Sequence, residues 1–213
     1  MTGKEKISEI LKRLKKEYPD PKIALNFSGP FQLLAATILS AQTTDVLVNK
    51  VTERLFNKYK TAKDYANASL EELQTDVNSI NFYKTKAKNI QASAKIITEQ
   101  FNGKVPDTME ELITLPGVAR KTANIVLSSA YGINEGIAVD THVKRLSNLL
   151  GMTKNQDPVK IEKDLMAATP KENWGTLSHL LIYHGRKICQ AKKPKHNECV
   201  LFDICPSRDK LTL

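Results

Sequence analysis

Leu115-Pro116-Gly117-Val118-Ala119-Arg120-Lys121-Thr122-Ala123 stands between two segments whose apolar residues recur at helical spacing. Upstream, Asp107 and Glu110 make a capping-box pattern before a short helix that ends near Leu115. Downstream, Ala123, Ile125, Val126 and Leu127 belong to a helix that the pattern carries from Arg120 to Tyr131. A tight Pro-Gly turn here bares backbone N–H groups at the start of the second helix. Those groups, together with the helix dipole, favour a phosphate oxygen. The missing side chain of Gly117 lets a phosphate approach, so Gly117 and Ala119 are candidate backbone contacts. A plain αα-corner built on a glycine turn is the other reading of the same residues.

Outward from this turn almost every segment reads as helix. Ile7, Ile10, Leu11 and Leu14 mark an amphipathic helix over Lys4 to Glu17, closed by Pro19 and Pro21. Pro30 opens a helix through Ser40, and Asp45 to Tyr59 is the next. Ser69 and Glu72 make a capping-box pattern before a further one. Lys84 to Phe101 ends at Asn102-Gly103, and Thr141 to Leu150 follows a short apolar stretch. Asp157-Pro158 starts a helix to Ala168, and Trp174 to Cys189 is the last long one. No segment alternates as a strand does. The expected fold class is all-α, with about ten helices.

Composition narrows the function. The 213 residues carry 32 Lys+Arg against 23 Asp+Glu, a formal net charge of +9. Such a balance suits a polyanionic partner, nucleic acid first, and a solvated basic surface is the plainer explanation. Lys84, Lys86, Lys88 and Lys95 form one run free of acids, and Arg186, Lys187, Lys192, Lys193 and Lys195 form another. No apolar run is long enough to span a membrane, and the charged N-terminus has no signal-peptide pattern. The three cysteines, Cys189, Cys199 and Cys205, cluster near the C-terminus. An odd, clustered set fits a reducing cytoplasm and a metal or redox site rather than a disulfide framework.

Asp140 lies 19 residues after Lys121, within Val139-Asp140-Thr141-His142-Val143. An aspartate at a helix mouth is ordinarily an N-cap, and a lysine in a helix's first turn is ordinarily solvated. Taken together, however, Leu115 to Asn124 and Ala138-Val139-Asp140-Thr141-His142-Val143 resemble the endonuclease III family of base-excision DNA glycosylases. The resemblance extends back to Leu39-Ser40-Ala41-Gln42-Thr43-Thr44-Asp45 and Asn81-Phe82-Tyr83-Lys84-Thr85-Lys86-Ala87, and forward to His184-Gly185-Arg186 and the cysteine cluster. It runs in order through nearly the whole chain.

The resemblance implies a bifunctional glycosylase and abasic-site lyase that removes oxidised pyrimidines from double-stranded DNA. It makes Lys121 the nucleophile and Asp140 the essential carboxylate. A neutral lysine amine can attack the sugar C1′ and leave an imine, and a carboxylate can stabilise the positive charge that develops on the sugar. Gln42 takes the place of a residue that enters the helix opposite the flipped base, and Phe82 that of an apolar wedge. A core aromatic is the alternative for Phe82. Ser40, Asp45 and His142 are candidates for the pocket or its surroundings, and Lys192 for DNA contact. His179 and His184 read as packing histidines.

By the same resemblance, a six-helix domain spans 23–134 and carries the helix–hairpin–helix. A second, discontinuous domain joins 1–22 to 135–213 and carries the metal-cluster loop. The cleft between them would hold the active site of a monomeric, cytoplasmic, nucleoid-associated enzyme.

Three features depart from the family. Its usual cluster motif, Cys-x6-Cys-x2-Cys-x5-Cys, here reads Cys189-x6-His196-x2-Cys199-x5-Cys205. The expected ligands are therefore Cys189, His196, Cys199 and Cys205 around a 4Fe–4S cluster, with zinc or no metal as alternatives. Ala119 and Asn81 stand where glycine is usual, and Asn tolerates a left-handed backbone.

Overall fold

The computed structural model describes residues 3–208. Among them are eleven α-helices and no strand. They are α1 (Gly3–Glu17), α2 (Pro30–Ser40), α3 (Asp45–Lys58), α4 (Ala62–Asn67), α5 (Leu70–Asp76), α6 (Tyr83–Gln100), α7 (Met109–Leu112), α8 (Arg120–Val126), α9 (Thr141–Leu149), α10 (Pro158–Ala168) and α11 (Trp174–Lys187). None of the described helices is long and apolar enough to cross a membrane. The chain divides into two compact units, Ile23–Glu135 and Met1–Lys22 with Gly136–Leu213.

In the Ile23–Glu135 unit, α2 is the buried centre. Every residue from Leu33 to Leu39 is buried, as a helix apolar all round must be. It packs on α3, α6 and α8. Val48, Val51 and Leu55 of α3 and Ile90, Ala94 and Ile97 of α6 complete the core with Leu112, Leu115, Val126 and Leu127. Side-chain caps fix the helix starts. Thr44 accepts from the Leu47 N–H, Ser69 from the Glu72 N–H, and Thr61 and Asp64 form a reciprocal capping box.

In the other unit, Ile7, Ile10, Leu11 and Leu14 of α1 pack with Val143 and Leu146 of α9, Ile161 and Leu165 of α10, and Leu177, Leu180 and Leu181 of α11. The first helix of the chain thus shares a core with the last. Arg13 of α1 donates to the Val200 carbonyl at 3.1 Å and to Asp203 at 2.5 Å, which ties the C-terminal loop to α1.

Three details differ from the sequence reading. The helix Ala62–Asn67 was not anticipated, although Thr61 and Asp64 carry its capping signal. The α-helical part of α8 stops at Val126 and passes into a π-turn, Leu127–Tyr131, which Gly132 ends at φ +70°. The cap of α7 is Thr108, not Asp107. Thr108 Oγ1 accepts from the Glu111 N–H at 3.3 Å and donates to the Glu111 carboxylate at 2.7 Å. A threonine hydroxyl caps a helix start as aspartate does, so the N-cap lies one residue later than the sequence pattern placed it. Thr108→Ala is therefore expected to cost about 1 kcal/mol of stability in urea unfolding, and Asp107→Ala a small fraction of that. Equal losses would contradict the assignment.

Candidate active site

The turn between α7 and α8 is tightly determined. Leu115 and Val118 are buried and point into the core, and the Val118 N–H bonds the Leu115 carbonyl at 3.0 Å. Gly117 between them has φ +80°. A Cβ there would lie 2.8 Å from Asn89 Nδ2 and 3.0 Å from Asn89 Cβ. Glycine is thus required twice, by backbone hand and by the close approach of α6. Ser93, also on α6, donates to the Pro116 carbonyl at 2.9 Å. Ala119 is the N-cap of α8 and has no side-chain acceptor for its first turn. Arg120 and Lys121 follow it and are exposed. This is the backbone arrangement of an anion-binding helix start.

Two more candidates are presented on left-handed backbone in the same unit. Gln42, just past the end of α2, has φ +55°, and Phe82, the N-cap of α6, has φ +57°. Both side chains are exposed, Phe82 at 65%. The core-aromatic alternative for Phe82 is thereby excluded. Asn81, expected to ease a left-handed turn, does not occupy that conformation; Phe82 does. Asn81 instead uses its side chain, and its Nδ2 donates to the Gln42 carbonyl at 2.5 Å. Lys86 is a further correction. Within its basic run, Lys84, Lys88 and Lys95 are exposed, but Lys86 is 6% exposed. Its ammonium donates to the carbonyls of Leu39 (2.8 Å) and Ala41 (2.5 Å) and to Thr43 Oγ1 (3.2 Å), and burial lowers its pKa. Ser40 Oγ is bonded within α2 to the Thr37 carbonyl, and Asp45 lies in the first turn of α3.

Asp140 belongs to the Met1–Lys22 and Gly136–Leu213 unit. It is the N-cap of α9, half-buried, with Oδ1 accepting from the Val143 N–H at 2.7 Å. The capping role read from the bare pattern is therefore real. His142 follows on α9 where α11 runs close, since a Cβ on Gly185 would lie 2.9 Å from His142 Nδ1. His184 is buried, with Nδ1 3.4 Å from the Tyr18 hydroxyl and Nε2 3.5 Å from Cys199 Sγ. Burial, with Arg145 nearby, pushes its pKa down to about 4. His179 is likewise lowered by burial.

The cysteines are free thiols packed on this unit's core. Cys189 Sγ accepts from Arg145 at 3.7 Å, and Cys205 Sγ faces the Leu149 carbonyl at 3.9 Å. Burial raises the pKa of Cys189 and of Cys199, and neighbouring thiols push in the same direction. His196 packs against Phe202 in a tilted arrangement, ring centres 5.5 Å apart. Among the described residues no three His, Cys, Asp or Glu side chains are grouped as ligands of one ion. Lys192 and Lys193 are exposed beside the loop, and Lys187 lies over the rings of Tyr18 and Tyr183.

Residues 35–171 match the family of HhH-GPD superfamily base excision DNA repair proteins. Sequence relatives agree. The chain is 52% identical to the endonuclease III of Synechocystis over 96% of its length and 93% of the relative's, and 46% identical to that of Bacillus subtilis over 99% and 96%. The chain belongs to the endonuclease III family. A solved endonuclease III trapped as a covalent DNA intermediate superposes with a TM-score of 0.92 at 45% identity, covering 99% of both chains. A thermostable thymine-DNA glycosylase shares the fold at a TM-score of 0.82 and 23% identity. Sequence reasoning missed the residues of α6 that hold the family's motif loops, Lys86, Asn89 and Ser93. Their signal was a polar stripe at spacings of three and four on an otherwise apolar face. Gly117→Ala is expected to destabilise the protein by about 1 kcal/mol or more in chemical unfolding, with Asn89→Ala recovering only the collision component. A neutral Gly117→Ala would contradict this account of the turn.

Proposed function

We propose that Lys121 is the nucleophile and Asp140 the charge-stabilising carboxylate of this enzyme, and that its substrates are oxidised pyrimidines in duplex DNA. The chain is a base-excision DNA glycosylase with abasic-site lyase activity. The observation that carries the assignment is the position of Lys121. It is an exposed amine in the first turn of α8, two residues past an N-cap that leaves that turn's donors to an anion. A backbone phosphate held there brings its sugar within reach of the amine. The endonuclease III caught covalently on DNA supports a covalent route.

The chemistry follows from the groups present. The Lys121 nitrogen, in its neutral form, attacks C1′ as the bond from C1′ to the base breaks. One Asp140 oxygen is held by the Val143 N–H, which orients the carboxylate, and a carboxylate retains acceptor capacity on its other oxygen. That charge stabilises the sugar cation as the base leaves. The added nitrogen gives up a proton, which the departing base takes, and its lone pair then expels O4′ from C1′; O4′ is protonated, the sugar ring opens, and the protonated imine on Lys121 acidifies C2′. Loss of the C2′ proton then expels the 3′ phosphate by β-elimination, and hydrolysis of the imine frees the lysine. Gln42 and Phe82 fill the gap in the base stack. Gly117 and Ala119 contact the backbone, and the exposed Lys192 adds charge to that footprint. A nucleoid-associated cytoplasmic monomer is the setting that fits these roles.

The endonuclease III family generally carries a 4Fe–4S cluster. In this chain the three cysteines pack on one unit's core and His196 lies against Phe202, and among the described residues no three of these side chains are grouped as ligands of one ion. No step above passes through a cluster. Position 196 is where the loop departs from the family's four-cysteine spacing. His196→Cys is expected to raise the iron retained per chain after aerobic purification, measured by metal assay and visible absorbance. Equal iron in both proteins would contradict that reading.

Asp140 allows its two roles to be separated, since asparagine caps a helix about as well as aspartate but carries no charge. Asp140→Asn is expected to unfold with the parent while losing about 100-fold or more in base excision. Asp140→Ala loses excision and also about 1 kcal/mol of stability. Lys121→Ala should bind damaged duplex yet yield no borohydride-trapped adduct and no strand cleavage. Trapping that persists would refute the nucleophile assignment.

A further inference from the structure

Gln42 and Phe82 are two of the three non-glycine residues with positive φ among those described. Side chains rarely adopt this backbone, and it persists only where the surroundings over-determine it. The surroundings are specific. The Gln42 turn is gripped at three successive residues, all from one short segment. Asn81 Nδ2 donates to the Gln42 carbonyl at 2.5 Å, and the Lys86 ammonium donates to the Ala41 carbonyl at 2.5 Å and to Thr43 Oγ1 at 3.2 Å. Lys86 spends its third N–H on Leu39, the penultimate residue of α2. An ammonium has three donors, so all of them serve this one turn. Asn81 is the immediate neighbour of Phe82, and Lys86 lies one helical turn beyond it.

We propose that Asn81 is a positioning residue whose amide locks the Gln42 turn to the Phe82 turn, so that the two side chains enter the base stack as one unit. The inference rests on the wedge roles given above to Gln42 and Phe82. Lys86 fixes the base of the Gln42 turn from the buried side. Asn81 is exposed and closes it from the solvent side, where the inserted side chains meet DNA. A glycine at position 81 has no amide to make this bond. Without it the Gln42 carbonyl is free to rotate, and a wedge that must be ordered on binding pays that entropy at the moment of insertion.

The test uses a duplex bearing a tetrahydrofuran abasic analogue opposite 2-aminopurine, whose fluorescence rises when that base unstacks. Wild type, Gln42→Ala, Asn81→Ala and the double variant are compared for fluorescence amplitude, Kd and thermal unfolding. Asn81→Ala is expected to lower the amplitude to below about half and raise Kd about fivefold, the scale of one lost hydrogen bond, with the unfolding midpoint lowered by no more than about 4 °C. In the Gln42→Ala background it should add nothing, because the two act as one element. Asn81→Asp, which keeps the size but sets an acceptor against the carbonyl, should be at least as defective as Asn81→Ala. A wild-type amplitude in Asn81→Ala, or an effect that adds fully to that of Gln42→Ala, overturns the coupling. If Gln42→Ala itself leaves the amplitude unchanged, the wedge reading is wrong and the coupling falls with it.

Discussion

A buried ammonium organises the Ile23–Glu135 unit. Lys86 is 6% exposed and meets no carboxylate in its hydrogen bonds; its partners are two carbonyls and a hydroxyl. Such burial is tolerable only when every donor is satisfied. The carbonyls at the C-terminal end of a helix carry the negative end of its dipole and lack partners of their own. The end of α2 therefore supplies what Lys86 requires, and Lys86 in turn fixes where α2 stops and the Gln42 turn begins. The same face of α6 carries Asn89 beneath Gly117 and Ser93 on the Pro116 carbonyl. One helix thus sets the register of the proposed wedge turn and of the hairpin proposed to hold a phosphate, and an error in one is an error in both.

The chemistry is laid over this scaffold with little structural cost. Lys121 is exposed on a first turn, where nearly any residue is tolerated. Asp140 serves the fold as an N-cap and, in the role proposed above, the reaction as a charge; the cap needs only a side-chain oxygen, whereas the reaction needs the carboxylate. The overlap explains how the proposed catalytic aspartate can sit at a helix mouth. The C-terminal loop stands apart. It is held by Arg13, by packing of Cys189, Cys199, Val200, Ile204 and Cys205, and by the tilted ring contact of His196 with Phe202. Those contacts bind the loop to α1 and its core through ordinary side-chain interactions.

Much of this was legible in the sequence because helix signals are local. Apolar spacing, prolines at helix starts and glycine at position 117 all read directly into the elements observed. The capping of α7 was displaced by one residue because Asp107-Thr108 offers two adjacent acceptors, and only packing selects between them. The helix Ala62–Asn67 escaped because six residues hold too few periodic positions to stand out. Lys86 was misplaced among surface lysines for a different reason. Composition records that a lysine is present, but not that a helix terminus elsewhere in the chain is waiting for it. Asn81 shows the same limit. Its backbone tolerance is a property of one residue, whereas its actual bond reaches a carbonyl 39 positions away.

The central claim is that Lys121 forms the covalent bond to DNA. The most direct measurement reduces the enzyme–DNA imine with borohydride, digests the adduct and maps the modified peptide by mass spectrometry. The account predicts a single sugar adduct on Lys121. An adduct on another lysine, or on the N-terminal amine, with Lys121 unmodified, would contradict it.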